Sequence, residues 1–378
     1  MKIFAACSLG IEDLLEDEIK TLFPYTVCVK TEGGVEWTGD KSDIYKANLY
    51  LRIPNRILMR LAEFPVTGWA ELIRKSSRIP WNLYINKDLP LSFNVTCKRS
   101  RLYHSKGVEE RIILSIEKNT GFKLKVIKHK EDEEQKSQLI VVRIINNLCT
   151  ISLDTSGESL YKRGYKKETL KAPLRETLAA AIIKASGWDK VSPLIDPFCG
   201  SGTIIIEAAL IAKNIPPGLN RKFIFMLWPD FDNKLWNSII NNAKKSITDS
   251  VPVLIGSDRD NGAIESAKAN AKRANVAEYV SFERKTISEL SYPFSNEKIW
   301  IVTNPPYGKR LKEKKDLRNL YAKFGNVIKE NFSDVNLNIL CYDRKLLYQT
   351  GLELKKTLSF NHGGLNISMY KGIIKKSQ

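Results

Sequence analysis

The chain has 378 residues, 43% of them apolar and 27% charged, which excludes a disordered tail and a small disulfide scaffold. At roughly 150 residues per domain, two or three domains are expected. Its 60 basic and 42 acidic side chains leave a net charge of +18, which points to a polyanionic partner, nucleic acid before an anionic membrane surface, although a basic enzyme with no such partner shares that balance.

The first residues form a short apolar stretch that runs at once into Glu12, Asp13, Glu16, Asp17 and Glu18. A secretory leader would start basic and continue apolar, so none is expected. No run approaches the ~18 apolar residues of a membrane span, since even Thr203–Ala212 contains Glu207. The expectation is a soluble, cytoplasmic protein.

Residues 1–65 read as a small α/β module: strand Ile3–Ala6, helix Gly10–Leu22 and a β-ribbon Tyr25–Trp37 turning at Gly33-Gly34. A helix capped by Ser42 and a strand Arg56–Phe64 complete it. Residues 66–155 read as a second module. Helix Gly68–Ser77 and strand Leu91–Lys98 precede a helix from Ser105 that carries Val108, Ile112 and Ile116 on one face and stops at Gly121. Strands Lys123–Lys128, Leu139–Ile145 and Leu148–Leu153 follow, the first two joined by the charged tip Glu131–Gln138.

Within residues 156–378 strands and helices alternate. Strands are expected at Val191–Ile195, Val253–Ser257, Tyr279–Glu283, Ile299–Thr303 and Asn336–Cys341, and helices at Thr203–Lys213, Ala263–Ala274 and Leu317–Asn331. That alternation predicts a mostly parallel, doubly wound Rossmann-like α/β sheet. A helix at Trp236–Ile247, with Pro216-Pro217-Gly218 before it, reads as an insertion. This part also holds most of the charge, a net +15 over residues 161–378 against +3 before them, clustered at Lys162-Arg163, Lys166-Lys167 and Lys309 to Arg318.

Three segments at strand ends carry chemistry. Asp196-Pro197-Phe198-Cys199-Gly200-Ser201-Gly202-Thr203 passes from a strand into a helix, where a doubly wound sheet places its ligand. Its glycines admit close backbone approach, and the new helix presents free N–H groups to an anionic group. The same glycines would serve a plain tight turn. It lacks the third glycine and spacing of a nicotinamide fingerprint, which disfavours a dehydrogenase. Asp258, in Gly256-Ser257-Asp258-Arg259-Asp260 at the next strand end, is placed to accept both hydroxyls of a ribose, or to cap a helix. Asn304-Pro305-Pro306-Tyr307 follows the strand Ile299–Thr303. Two prolines stiffen the exit and would hold the Asn304 side-chain carbonyl and the Pro305 main-chain carbonyl as paired acceptors, with Tyr307 as a stacking face. Such a set suits the two hydrogens of an exocyclic base amine; it would also serve as a strand terminator.

Six cysteines (Cys7, Cys28, Cys97, Cys149, Cys199, Cys341) form no Cys-x-x-Cys pair, and His104, His129 and His362 stand apart. No metal centre is expected, and reduced, buried thiols imply a reducing compartment.

Taken in order, the three segments resemble class I S-adenosylmethionine-dependent amino-methyltransferases. Tyr161-Lys162-Arg163-Gly164-Tyr165 and Ala172-Pro173-Leu174-Arg175-Glu176-Thr177-Leu178 are similar to the upstream segment of RNA guanine-N2 methyltransferases. The start Phe4-Ala5-Ala6-Cys7-Ser8-Leu9-Gly10 and the segment Gly33-Gly34-Val35-Glu36-Trp37 resemble the same group. The resemblance covers nearly the whole chain and is greatest to the N-terminal half of the bacterial enzymes that make N2-methylguanosine in 23S ribosomal RNA. It implies a ferredoxin-like module over 1–65, an RNA-binding THUMP domain over 66–155 and a methyltransferase domain over 156–378. It also implies S-adenosylmethionine as cofactor, held by Asp196, Phe198, Cys199, Gly200, Gly202, Thr203, Asp258, Arg259 and Thr286, with Arg163, Tyr165 and Glu176 from the upstream segment. Asn304, Pro305, Pro306 and Tyr307 would be catalytic, and Lys98, Arg99, Arg101, Lys309 and Arg310 would meet RNA phosphates or remain solvated. This sequence stops at residue 378 without a second methyltransferase half, which keeps transfer RNA open as a substrate. Adenine-N6 methylation and a non-catalytic RNA-binding assembly factor are the remaining alternatives.

Overall fold

The computed structural model describes residues 1–129, 137–167, 174–291, 298–306, 314–362 and 364–375. They form two compact units between which the chain passes repeatedly. One holds residues 1–7, 18–160 and 221–242; the other holds 8–17, 161–220 and 243–378.

The first unit is organised by a seven-stranded sheet. In chain order its elements are β1 (Lys2–Ala6), α1 (Glu12–Leu22, in this unit only from residue 18), β2 (Cys28–Thr31), β3 (Gly34–Thr38), α2 (Lys41–Tyr50), β4 (Arg56–Pro65), α3 (Trp69–Ser76), β5 (Leu91–Lys98), α4 (Ser105–Thr120), β6 (Gln138–Ile145) and β7 (Leu148–Asp154). The strand order is β2-β3-β1-β4-β7-β6-β5. Residues 1–65 and 66–155 thus build one continuous sheet, joined where β4 pairs with β7. Only β5 and β6 run parallel, connected through α4 as a parallel pair requires. Period-two burial is plain on β6, where Ile140, Val142 and Ile144 are fully buried and Val141 and Arg143 are not.

Two local expectations are corrected. Asp40, not Ser42, caps α2: its carboxylate accepts from Asp43 N while its own N–H donates to Asp43 Oδ2, so the helix starts earlier than expected. The expected strand Lys123–Lys128 is a single bridge between Val126 and Leu91. Lysines alternating with Leu124 and Val126 carry the strand period, but the segment meets β5 only at its first residue, so no ladder propagates.

The insertion explains itself in this unit. Phe223, Phe225 and Trp236 cluster around Tyr45 of α2, whose ring lies 4.5 Å from Phe225 and 5.9 Å from Trp236. Asp232 N donates to the Tyr45 hydroxyl at 3.0 Å.

The second unit continues with α5 (Glu176–Ser186), β8 (Leu194–Asp196), α6 (Thr203–Ala212), α7 (Asn233–Lys245, in the first unit as far as residue 242), β9 (Leu254–Asp258) and α8 (Asn261–Arg273). Then come β10 (Ser281–Arg284), β11 (Ile299–Thr303), α9 (Lys314–Asn331), β12 (Asp334–Cys341), α10 (Arg344–Gln349), β13 (Lys355–His362) and β14 (Leu365–Lys375). Its sheet runs β10-β9-β8-β11-β12-β14-β13, with β10 to β12 parallel and β14 antiparallel to both neighbours. The order reverses between β8 and β11, which makes the carboxyl ends of those strands the ligand crevice. β8 is shorter than expected because Asp189 takes the N–H groups of Val191 and Ser192 into a turn.

Candidate active site

β8 and β11 are adjacent parallel strands, and their ends deliver Asp196 and Asn304 to the same edge of the sheet. After Asp196 the chain turns sharply into α6. Gly200 (φ +52°) and Gly202 (φ +82°) occupy the left-handed region that side chains avoid. Gly202 has a packing reason too. A Cβ there would sit 2.7 Å from the Phe282 ring and 3.0 Å from Ala267 Cβ, so the glycine makes room for the β10 phenylalanine.

Three hydrogen bonds hold this turn. Cys199 N donates to Ser257 O at 3.0 Å, Gly200 N to Asp258 Oδ2 at 3.1 Å, and Asn270 Nδ2 to Ser201 O at 3.0 Å. Asp258 also takes the N–H of Asp260 on its other oxygen. The two aspartates after β9 divide the work: Asp260 caps α8 through Gly262 N and Ala263 N, leaving Asp258 to face the turn.

A cavity of about 530 Å³ opens at these strand ends, within the range of small-molecule sites. Asp196, Phe198, Cys199, Gly200, Thr203, Asp258, Arg259, Thr286, Asn304 and Pro306 line it. Gly202 and Pro305 do not. Burial pushes the Asp196 carboxyl up to about 7, against the Thr303 hydroxyl and Phe198 N–H that it accepts. Burial likewise pushes the Cys199 thiol far up, helped by Asp196 and Asp258, so it stays protonated and is no nucleophile. Asn304 Oδ1 is buried and has no hydrogen-bond partner. A buried acceptor is seldom left unpaired, and here it stands in the wall of a cavity.

Arg163, Tyr165 and Glu176 are buried behind that wall. The Tyr165 hydroxyl donates to Glu207 Oε1 at 3.0 Å, and Arg163 forms an ion pair with the same oxygen at 3.5 Å. This accounts for the one carboxylate in the apolar helix α6. Burial raises Glu176 to about 7, with Lys166 drawing it back. Lys166 was not anticipated: its Nζ binds the Thr203 hydroxyl at 3.0 Å and Leu174 O at 2.7 Å, linking the upstream segment to the glycine turn. Ile287 lines the cavity beside Thr286, and Lys285 and Leu320 also line it without a motif that would reveal them. Thr286 caps a short 3-10 turn through Glu289. Lys98, Arg99 and Arg101 lie together at the exposed end of β5 in the first unit. Tyr307, Lys309 and Arg310 lie outside the described residues. No three His, Cys, Asp or Glu side chains gather in metal-binding fashion among the described residues, and no helix among them is long and apolar enough to cross a membrane.

A seven-stranded sheet with a glycine turn after its first strand, an acidic residue after the second and Asn-Pro-Pro after the fourth defines a class I methyltransferase. Residues 163–363 match the RMKL-like methyltransferase domain and residues 2–58 the RlmL ferredoxin-like domain, so the chain belongs to the RMKL-like methyltransferase family. It is 33% identical over 97% of its length to slr0064 of Synechocystis sp., named as a candidate RNA methyltransferase, and spans 95% of that protein. It is also 33% identical to the ribosomal RNA large subunit methyltransferase K/L of Syntrophotalea carbinolica over 97% of this chain, which spans 52% of that longer protein. The crystal structure of SMU.472 complexed with SAH superposes with a TM-score of 0.87 at 27% identity, covering 100% of this chain and 98% of that one.

Proposed function

We propose that this methyltransferase transfers a methyl group from S-adenosylmethionine to the exocyclic N2 amine of a guanine in structured RNA, with 23S ribosomal RNA as the substrate. The observation that carries the reading is the unpaired Asn304 Oδ1, buried in the cavity wall beside the glycine turn. An amine N–H is the group that such an acceptor lacks. The rRNA assignment rests on the K/L relative's named substrate.

The cofactor supplies an activated sulfonium methyl. The residues present fit it. Asp258 would offer a carboxylate to its ribose, and Asp196 and Gly200 of the glycine turn would take its charged amino-acid end. Thr286 and Ile287, which line the same cavity, would border the adenine. Asn304 would hold one amine N–H from the cavity wall, and the Pro305 main-chain carbonyl, on a residue outside the lining, is assigned the other. When bound, the cofactor would supply its methyl to the held amine and leave as the neutral thioether, the amine's surplus proton passing to water. Positive charge growing on nitrogen is stabilised by those acceptors, so the step needs placement more than a strong base. The motif's Tyr307 is assigned the stacking face, which requires the guanine to leave its helix. Residues 66–155 are assigned as the THUMP module, with Lys98, Arg99, Arg101, Lys309 and Arg310 on phosphates.

The test is nucleoside mass spectrometry of ribosomal RNA from cells lacking the gene. Loss of one N2-methylguanosine, restored by the wild-type chain and not by Asn304→Ala, supports the reading. Loss of N6-methyladenosine instead would move the target to adenine, and unchanged rRNA with altered tRNA would move it to transfer RNA.

A further inference from the structure

The segment ahead of α5 folds against the start of α6. Gly164 takes a left-handed φ of +91° between Arg163 and Tyr165, both of them buried. Arg163 and the Tyr165 hydroxyl engage Glu207 of α6. Arg273 Nε donates to Tyr165 O at 2.6 Å and its Nη2 holds Asn270 Oδ1, while Asn270 in turn donates to Ser201 O of the glycine turn. The Arg175 guanidinium, 4.6 Å from the Tyr161 ring centre, closes the segment on itself.

Lys166 goes further, because both groups it holds belong to residues that line the cavity. Its Nζ donates to Leu174 O at 2.7 Å and to the Thr203 hydroxyl at 3.0 Å. An ammonium donates and never accepts. The Thr203 oxygen must therefore turn a lone pair to Lys166, which leaves its own hydrogen to donate elsewhere. Thr203 is the first residue of α6, and the N-cap before it, Gly202, supplies no side-chain acceptor. A hydroxyl hydrogen and the start of a helix thus share one corner of the cavity, and an anion is the group they suit.

The energetics of the lysine point the same way. Burial pulls the Lys166 ammonium below its ordinary value, with Glu176 and Glu207 drawing it back up. An apolar side chain of similar length would fill the place without that desolvation, so packing alone does not account for a cation here. We infer that Lys166 is a positioning residue for the cofactor: by holding the Thr203 oxygen and the Leu174 carbonyl, it fixes the Thr203 hydroxyl as a donor to the cofactor's α-carboxylate. The inference rests on the cofactor orientation proposed above, adenosine toward Asp258 and amino-acid end toward the glycine turn. It is independent of which base is methylated.

The experiment uses the full chain, calorimetry and two ligands: S-adenosylhomocysteine and its decarboxylated form, which lacks only the α-carboxylate. Lys166→Met should raise the Kd of S-adenosylhomocysteine about tenfold and that of the decarboxylated form by less than about twofold. Lys166→Arg keeps donors for both oxygens and should retain the wild-type ratio of the two Kd values. Thr203→Val should lose that ratio as Lys166→Met does, and Lys166→Met/Thr203→Val should lose no more than either alone, because the two side chains act as one unit. Lys166→Met also strips Glu176 and Glu207 of a counter-charge; should that chain fail to fold, Lys166→Met/Glu176→Gln restores the balance and is read in the same way. Equal loss of both ligands, or losses that multiply in the Lys166→Met/Thr203→Val chain, overturns the inference. A wild-type chain whose preference for the carboxylate depends on Lys166, yet which leaves guanine N2 unmethylated, would overturn the proposed function and leave this assignment standing.

Discussion

Thr303 donates its hydroxyl to Asp196 Oδ1 at 2.6 Å, a bond between side chains 107 positions apart in sequence and buried from solvent. It fastens the residue before Asn304 to the residue that starts the glycine turn. The Asn304 corner and the glycine turn are therefore set relative to one another by a single short hydrogen bond, supported by the parallel pairing of β8 and β11. Placement of this kind is what a displacement on an already activated methyl requires.

Asn304→Ala should lower the single-turnover rate of methyl transfer by at least about a hundredfold, the usual scale for removing a group that stabilises developing charge. Cofactor affinity by calorimetry should change by less than about threefold. A variant as fast as wild type would place the amine elsewhere.

Asp258→Ala should act on binding first. It removes the proposed ribose acceptor and also the partner of Gly200 N, so the turn loosens as well. Loss of a charged hydrogen-bond acceptor costs about 1.5–3 kcal/mol, hence a tenfold or larger rise in cofactor Kd by calorimetry.

pH should separate the apo protein from its complex. Asp196 is raised to about 7, chiefly by burial. A carboxyl whose folded pKa exceeds its unfolded one takes up a proton on folding between the two values. Its contribution thus favours the folded apo state as pH falls from about 7 toward about 4. On the proposed pairing of Asp196 with the cofactor's ammonium, binding requires the carboxylate, so affinity runs the other way and rises as pH climbs through about 7. The rise in Tm caused by cofactor should be larger at pH 8 than at pH 6, and Asp196→Asn should abolish that difference.

In the first unit the sensitive pair is Arg56 and Asp154, bridged at 2.7 Å with the Asp154 side chain 1% exposed. Burial raises the Asp154 carboxyl while Arg56 pulls it down. Arg56→Ala leaves that buried carboxylate without its counter-charge, held only by the N–H groups of Ser156 and Gly157, and should destabilise the unit by about 3 kcal/mol in urea melts. Adding Asp154→Asn should recover part of the loss.

Gly202→Ala tests the packing reason for its glycine. A left-handed Cβ costs about 1–2 kcal/mol and the clash with Phe282 about 1–3 more. Thermal melts should show the full penalty, and Phe282→Leu in the same chain should relieve only the second part.

The parallel half of the catalytic sheet was legible because each buried strand is an apolar run closed by a glycine, aspartate or proline signal. The three motifs were legible for the same reason, since strand ends are where such residues cluster. What escaped notice lacks local signals. Lys166 bonds Thr203 and Leu174, a contact made only by tertiary folding. The β13–β14 hairpin pairs antiparallel at the far end of the sheet, where neither strand reads as a clean apolar run. Asp40 outcompeted Ser42 as a cap because the reciprocal bond with Asp43 decides where α2 begins. The packing demand on Gly202 has no local signal, because Phe282 lies 80 residues away in sequence.

The passage of residues 221–242 through the first unit governs how this protein is made. Tyr45 emerges from the ribosome early, yet its stacking partners Phe225 and Trp236 are synthesised some 180 residues later. Until then an aromatic face of the nascent N-terminal unit has nothing to cover it, and it is a natural landing point for a chaperone. A cut at residue 160 would reproduce that unfinished intermediate permanently, so neither half should be obtainable as a well-behaved fragment by trimming the gene at one point.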